Sequence, residues 1–147
     1  MRIMLVCDDE PGILRTYQRT LQKIIADGII PLKLTSEQGV ETAVPHEKMA
    51  VFAENSDLIL AFAKKFSSAQ TIFGLITDGE FAANDKLATG HNLIVELRKI
   101  CPDLQATMIT GNPGRFKDLT REHDYSVVGN PPEMKDIIDL FNDFFNQ

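Results

Sequence analysis

Apolar residues in this chain fall into short continuous runs that alternate with residues spaced by three and four. Met4, Leu5, Val6 and Cys7 form the first continuous run, the pattern of a strand buried on both faces. Pro11 suits the first turn of a helix. Leu14, Tyr17, Leu21 and Ile24 then recur along one helical face until Asp27-Gly28 stops it. From Ile29 to Ala53 the pattern weakens. Ile30, Leu32 and Leu34 alternate with Pro31, Lys33 and Thr35, which reads as an edge strand. MAVFAEN, Met49 to Asn55, is a second candidate. Only one of the two is needed in the main sheet, and the reading favours the second.

Asn55 or Ser56 suits the cap of a helix carrying Leu58, Ile59, Phe62 and Phe66. TIFGLITD, Thr71 to Asp78, is another continuous run ending in acid. Leu93, Ile94, Leu97 and Ile100 mark a helix that Pro102 ends. QATMITGNPG and YSVVGNPPE are two more strand-then-turn stretches. Ile137, Ile138, Phe141, Phe144 and Phe145 stripe the last helix, wide enough to offer part of the stripe to a partner. Strand and helix alternate throughout, with no internal repeat or linker. That predicts an α/β fold, a parallel sheet covered on both faces. Ligands in such folds bind beyond the carboxyl ends of the strands, near the switch in strand order. Asp8, Asp9, Asp78, Thr110 and Asn130 all fall at those ends.

Composition narrows the picture. The 147 residues suit one domain, with 44% apolar and 24% charged residues. A formal net charge of -6 argues against a nucleic-acid surface. The longest apolar run, Leu58 to Ala63, is too short to span a bilayer, and acid at Asp8 rules out a secretory signal. Cys7 and Cys101 have neither CxxC pairing nor ligand-spaced histidines, so they read as reduced structural thiols in a cytoplasmic protein. His46, His91 and His123 read as surface residues.

The acids carry the chemistry. Asp8, Asp9 and Glu10 follow a buried run, where like charges repel and each raises the cost of ionising its neighbours. An acidic pair after a strand can simply sit at a helix N-terminus. With Asp78 at a second strand end, a divalent-cation pocket becomes the better reading. Mg²⁺ takes oxygen ligands and keeps several waters, so two or three carboxylates are enough.

LVCDDE, LITDGE, MITGNP and VVGNPP, in that order, make the chain resemble the receiver domain of two-component response regulators from end to end. GHNLIVELRKICPDLQATMIT likewise resembles that family's third helix and fourth strand. The resemblance implies a flavodoxin-like, doubly wound, five-stranded parallel sheet in the order 2-1-3-4-5, here with an insertion before the third strand. It also implies that Asp78 is the phosphoacceptor. Asp9, Asp78 and the main-chain carbonyl of Glu80 would hold Mg²⁺, Asp8 would contribute through water, and Thr110 would bond a phosphoryl oxygen. The implied donor is a histidine kinase or phosphotransfer protein. The implied output is a downstream protein docked on the face of the fourth helix, fifth strand and last helix, with a homodimer as a further option. Because the sequence ends at Gln147, just after the last helix, residues 1–147 are expected to be a single receiver domain without an output domain.

Several positions depart from the family pattern. Asn130-Pro131 stands where the family has Lys-Pro, and Val127 stands at the aromatic switch position, with Tyr125 on the same strand face. FAANDKLAT lengthens the loop after Asp78 and replaces a Met-Pro turn. Lys86 and Lys117 are candidates for a relocated cation. Two alternatives stay open. One is a pseudo-receiver that binds a partner without phosphorylation. The other is a Mg²⁺ phosphohydrolase of the haloacid-dehalogenase type with Asp8 as nucleophile, although Glu10 occupies that family's second Asp position. Steady turnover of a small phosphate ester would separate an enzyme from a receiver.

Overall fold

The computed structural model describes residues 1–23, 28–129 and 132–147. The chain runs β1 (Arg2–Cys7), α1 (Pro11–Gln22), β2 (Ile30–Lys33), β3 (Lys48–Ala53), α2 (Ser56–Phe66), β4 (Ile72–Asp78), α3 (Gly90–Ile100), β5 (Gln105–Thr110), α4 (Lys117–His123), β6 (Ser126–Gly129) and α5 (Met134–Phe145). All six strands form one sheet in the order β2-β3-β1-β4-β5-β6, and every neighbouring pair is parallel. Without β2, this is the expected five-stranded order.

The sixth strand corrects the reading that only one of the two candidates between Ile29 and Ala53 joins the sheet. Both do, at different depths. Lys48–Ala53 is buried along almost its whole length and lies next to β1. Ile30–Lys33 pairs with the outer side of β3. Pro31 has no N–H to donate, so this segment can serve only as an edge. The insertion therefore widens the sheet. Its turn is clamped to α2 by Lys65, whose Nζ donates to the carbonyls of Val40 and Glu41, each at 2.8 Å.

Alternation along the strands divides the core in two. Ile3, Leu5 and Cys7 point to the face covered by α2 and α3, alongside Phe62, Leu93 and Leu97. Met4 and Val6 point to the face covered by α1 and α5. There Tyr17, Phe141, Phe144 and Phe145 are all buried, so the phenylalanines of the last helix are core and not a docking stripe. Arg2 donates from Nη1 to the Phe144 carbonyl at 3.2 Å, placing a cation at the C-terminal end of α5. Asn55, not Ser56, caps α2, accepting the Leu58 amide on Oδ1 at 3.0 Å. Three expectations, Ile24 in the first helical stripe, the Asp27 stop and Asn130, lie outside the described residues.

Candidate metal centre

Strand register brings the acids together. Cys7 pairs with Thr77 across β1 and β4, so Asp8 and Asp78 both stand one residue beyond the same level. Asp78 in turn pairs with Ile109, which puts Thr110 one residue further along β5. Asp8, Asp9 and Asp78 offer carboxylate oxygens that all lie within 4.8 Å of one another. Asp8 is buried, Asp9 and Asp78 half-buried.

Main-chain amides orient two of these carboxylates. Asp8 Oδ1 accepts the Glu10 amide at 2.9 Å, and Asp78 Oδ1 accepts the Gly79 amide at 2.8 Å. Those bonds do not offset burial and crowding. Burial, with Asp78, Asp9 and Glu10 adding repulsion, pushes the Asp8 carboxyl up to about 7. Burial and the adjoining Asp9 push Asp78 up to about 6. A cluster of hard oxygen donors that resists carrying its own charge fits a small divalent cation, which would neutralise it. The antiparallel bridge between Glu80 and Thr89 is made by the Phe81 and Gly90 amides, donating to the Ala88 and Gly79 carbonyls at 2.9 and 3.0 Å. In this pattern the Glu80 carbonyl takes no part in the bridge itself.

Two glycines let the walls of the pocket close. A Cβ on Gly79 would stand 2.7 Å from Thr110 Oγ1 and 2.8 Å from its Cβ. Thr110 therefore sits directly over the residue that follows Asp78. It is buried, and its Oγ1 accepts the Asn112 amide at 3.1 Å. A Cβ on Gly90 would collide with the Asp78 carbonyl oxygen, so the first residue of α3 packs on the main chain of Asp78.

The long loop after β4 folds back over the pocket's rim. Asp85 Oδ1 and Oδ2 accept the Ser56 hydroxyl at 2.6 Å and its amide at 2.9 Å, and Oδ1 also accepts the Leu87 amide at 3.0 Å. Burial alone would raise the Asp85 pKa, but these hydrogen bonds outweigh it and hold the carboxyl below its usual range. Ala88 takes a left-handed conformation, φ 67°, where the loop turns back toward α3.

The sequence reading missed two residues here, Asp85 and Arg115. Arg115 donates from Nη1 to the Glu80 carboxylate. Among the described residues this is the only ion pair that joins separate parts of the chain, since the others are the local pairs Lys99–Glu96 and His123–Glu122. Lys86 and Lys117, the candidates for a relocated cation, are both exposed and enter none of these ion pairs. His46 is exposed as expected, but His91 is half-buried. Its Nδ1 lies 3.0 Å from the Tyr125 hydroxyl, and its ring meets His123 edge-on at 4.7 Å between centroids. Burial, then His123, lowers the His91 pKa. Cys7 and Cys101 are free thiols, and burial pushes both up in pKa. Among the described residues no helix is long and apolar enough to cross a membrane.

No protein-family model and no curated protein sequence matches the chain. Solved structures do. A response regulator receiver domain protein from Clostridium thermocellum superposes with a TM-score of 0.68 at 21% identity, covering 99% of this chain and 95% of the other. Chemotaxis protein CheY4 of Vibrio cholerae gives 0.65 at 16% identity, with 98% of each chain covered. The isolated REC domain of RcsB from Salmonella enterica serovar Typhimurium, in the presence of phosphomimetic BeF₃⁻, gives 0.60 at 18% identity, with 92% and 81% covered. At such identities the likeness speaks for architecture, and it agrees with the sheet order: the chain has the fold of response-regulator receiver domains.

Proposed function

We propose that this protein is a receiver that takes a phosphoryl group onto Asp78 from a histidine kinase or phosphotransfer protein, with Mg²⁺ bound, and signals by docking on a protein partner. One observation carries the reading. Asp8, Asp9 and Asp78 converge at the carboxyl edge of a receiver fold, with Thr110 over the residue after Asp78.

In this reading Asp9, Asp78 and the Glu80 carbonyl hold Mg²⁺, and Asp8 contributes through water. The bound cation supplies positive charge against the carboxylates and the incoming phosphoryl group. The Gly79 amide orients the Asp78 carboxylate through Oδ1, and a carboxylate oxygen of Asp78 attacks phosphorus. The Thr110 hydroxyl accepts from Asn112 and keeps its own proton for a phosphoryl oxygen. Output runs through the face made by α4, β6 and α5.

The test is acetyl phosphate with Mg²⁺, reading phosphate on Asp78 by mass against Asp78→Asn, together with beryllofluoride titration watched by NMR. Phosphate on wild type alone supports the reading. A protein that stays unmodified and unresponsive overturns it. A second reading, a pseudo-receiver that docks without phosphorylation, is favoured by Asn130 at the family's Lys position. It predicts partner binding that Asp78→Asn leaves intact.

A further inference from the structure

Two contacts place the Arg115 guanidinium beside the segment that follows Asp78. Arg115 follows Pro113 in a short 3₁₀ turn, Pro113–Phe116, after the carboxyl end of β5. Its guanidinium bonds Glu80, two residues past Asp78. The same group lies over the ring of Phe116, 5.4 Å from the centroid. Phe116 is buried, and its ring edge would come within 3.1 Å of a Cβ on Gly79, the residue next to Asp78. The guanidinium is thus supported by an aromatic face that abuts the acceptor's neighbour.

We propose that Arg115 is the cation that binds the phosphoryl oxygens at Asp78, with Glu80 holding it ready in the unmodified protein. This inference rests on Asp78 being the acceptor. The Arg115–Glu80 pair has both side chains about half exposed, 49% and 53%, and an exposed pair of this kind holds weakly. A phosphoryl group carries close to two negative charges, and a guanidinium can meet two of its oxygens at once. Exchange from Glu80 to phosphoryl is therefore favourable, and the cation–π contact with Phe116 keeps the guanidinium positioned meanwhile. In the transfer, an Asp78 oxygen forms a bond to phosphorus as the bond from phosphorus to the acetyl oxygen breaks. Acetate leaves with the electron pair. Arg115 gives hydrogen bonds and no proton.

The experiment measures initial rates of Asp78 modification by acetyl phosphate with Mg²⁺, for wild type, Arg115→Gln, Arg115→Lys and Glu80→Gln. Calorimetry of Mg²⁺ alone and of beryllofluoride with Mg²⁺ accompanies it. Arg115→Gln should slow modification roughly ten-fold or more and weaken beryllofluoride binding in parallel. Its affinity for Mg²⁺ alone should not change. Arg115→Lys should keep part of the rate, and Glu80→Gln, which keeps the main-chain carbonyl but removes the competing carboxylate, should exceed wild type. Wild-type rate and beryllofluoride affinity in Arg115→Gln would overturn the inference while leaving Asp78 as acceptor. So would a loss in Glu80→Gln equal to that in Arg115→Gln, which would make the pair a structural brace. No phosphate on wild-type Asp78 would overturn the acceptor reading and this inference with it.

Discussion

Asp85 holds Ser56 with both carboxylate oxygens, taking the hydroxyl at 2.6 Å and the amide at 2.9 Å across 29 residues of sequence. Ser56 opens α2, so one contact both receives an orphan amide of the first turn and puts negative charge at the helix's positive end. It also pins the middle of the β4–α3 loop beside the acid pocket.

Removing that carboxylate should free the loop. Asp85→Ala is expected to cost about 1–2 kcal/mol, read by urea unfolding, and to speed amide exchange between residues 79 and 89. The Asp85 pKa is lowered in the folded chain. Its stabilisation is therefore complete above the unfolded value near 4 and fades as pH falls through the folded value. The stability gap between wild type and Asp85→Ala should narrow in acid. A gap that is constant or widens toward low pH counts against this account.

Asp8 and Asp78 carry the opposite sign. Both bind protons more tightly folded than unfolded, with values near 7 and 6. Metal-free protein should therefore lose stability as pH rises from about 4 to about 7. Asp8→Asn should flatten that decline and stabilise the metal-free chain at pH 8 by about 1–2 kcal/mol. Mg²⁺ should restore wild-type stability at pH 8, and Asp9→Asn should lose Mg²⁺ binding in calorimetry. Thermal melts from pH 5 to 8, with and without Mg²⁺, decide the matter.

Gly90 offers a steric test of the pocket. Alanine usually gains up to about 1 kcal/mol over glycine within a helix. Here its methyl would strike the Asp78 carbonyl oxygen. Gly90→Ala should instead destabilise by about 1–3 kcal/mol and weaken Mg²⁺ binding by shifting Asp78. Gly111→Ala has nothing within 4 Å of its Cβ and should change stability by no more than about 0.5 kcal/mol.

At Asn130 the expectation rests on sequence alone. An amide donates without charge, so the coupling between phosphorylation and rearrangement should be weaker by about 1.5–3 kcal/mol than with the family's Lys. Asn130→Lys should enlarge the NMR shift changes on phosphorylation or on beryllofluoride binding. Identical spectra for the two proteins would show that charge at this position is dispensable here.

The acids were legible in the sequence because a parallel sheet aligns its carboxyl ends, so Asp8, Asp78 and Thr110 gather without any contact having to be foreseen. Apolar spacing located α1, α2, α3 and α5 because burial imposes a period, whereas α4 has no buried residue and left no such mark. The edge strand was ambiguous because Ile30–Lys33 is mostly exposed and carries little of that period. Arg115 and Asp85 left no sequence signal. Each acts through a loop partner, Glu80 or Ser56, and loops impose no period. The histidine pair was hidden similarly, since His91 meets His123 only once α3 and α4 are in place.

The added strand β2 also determines how the sheet ends. Without it, β3 would be the margin, and its run Met49 to Ala53 is entirely buried and apolar. Such a margin is a template for strands of other molecules. β2 covers it with a short segment in which Pro31 withholds a donor and Lys33 carries charge on an exposed residue. An insertion that leaves the acid pocket untouched thus guards the sheet against lateral growth, and deleting residues 30–33 should show its value as precipitation before any change at Asp78.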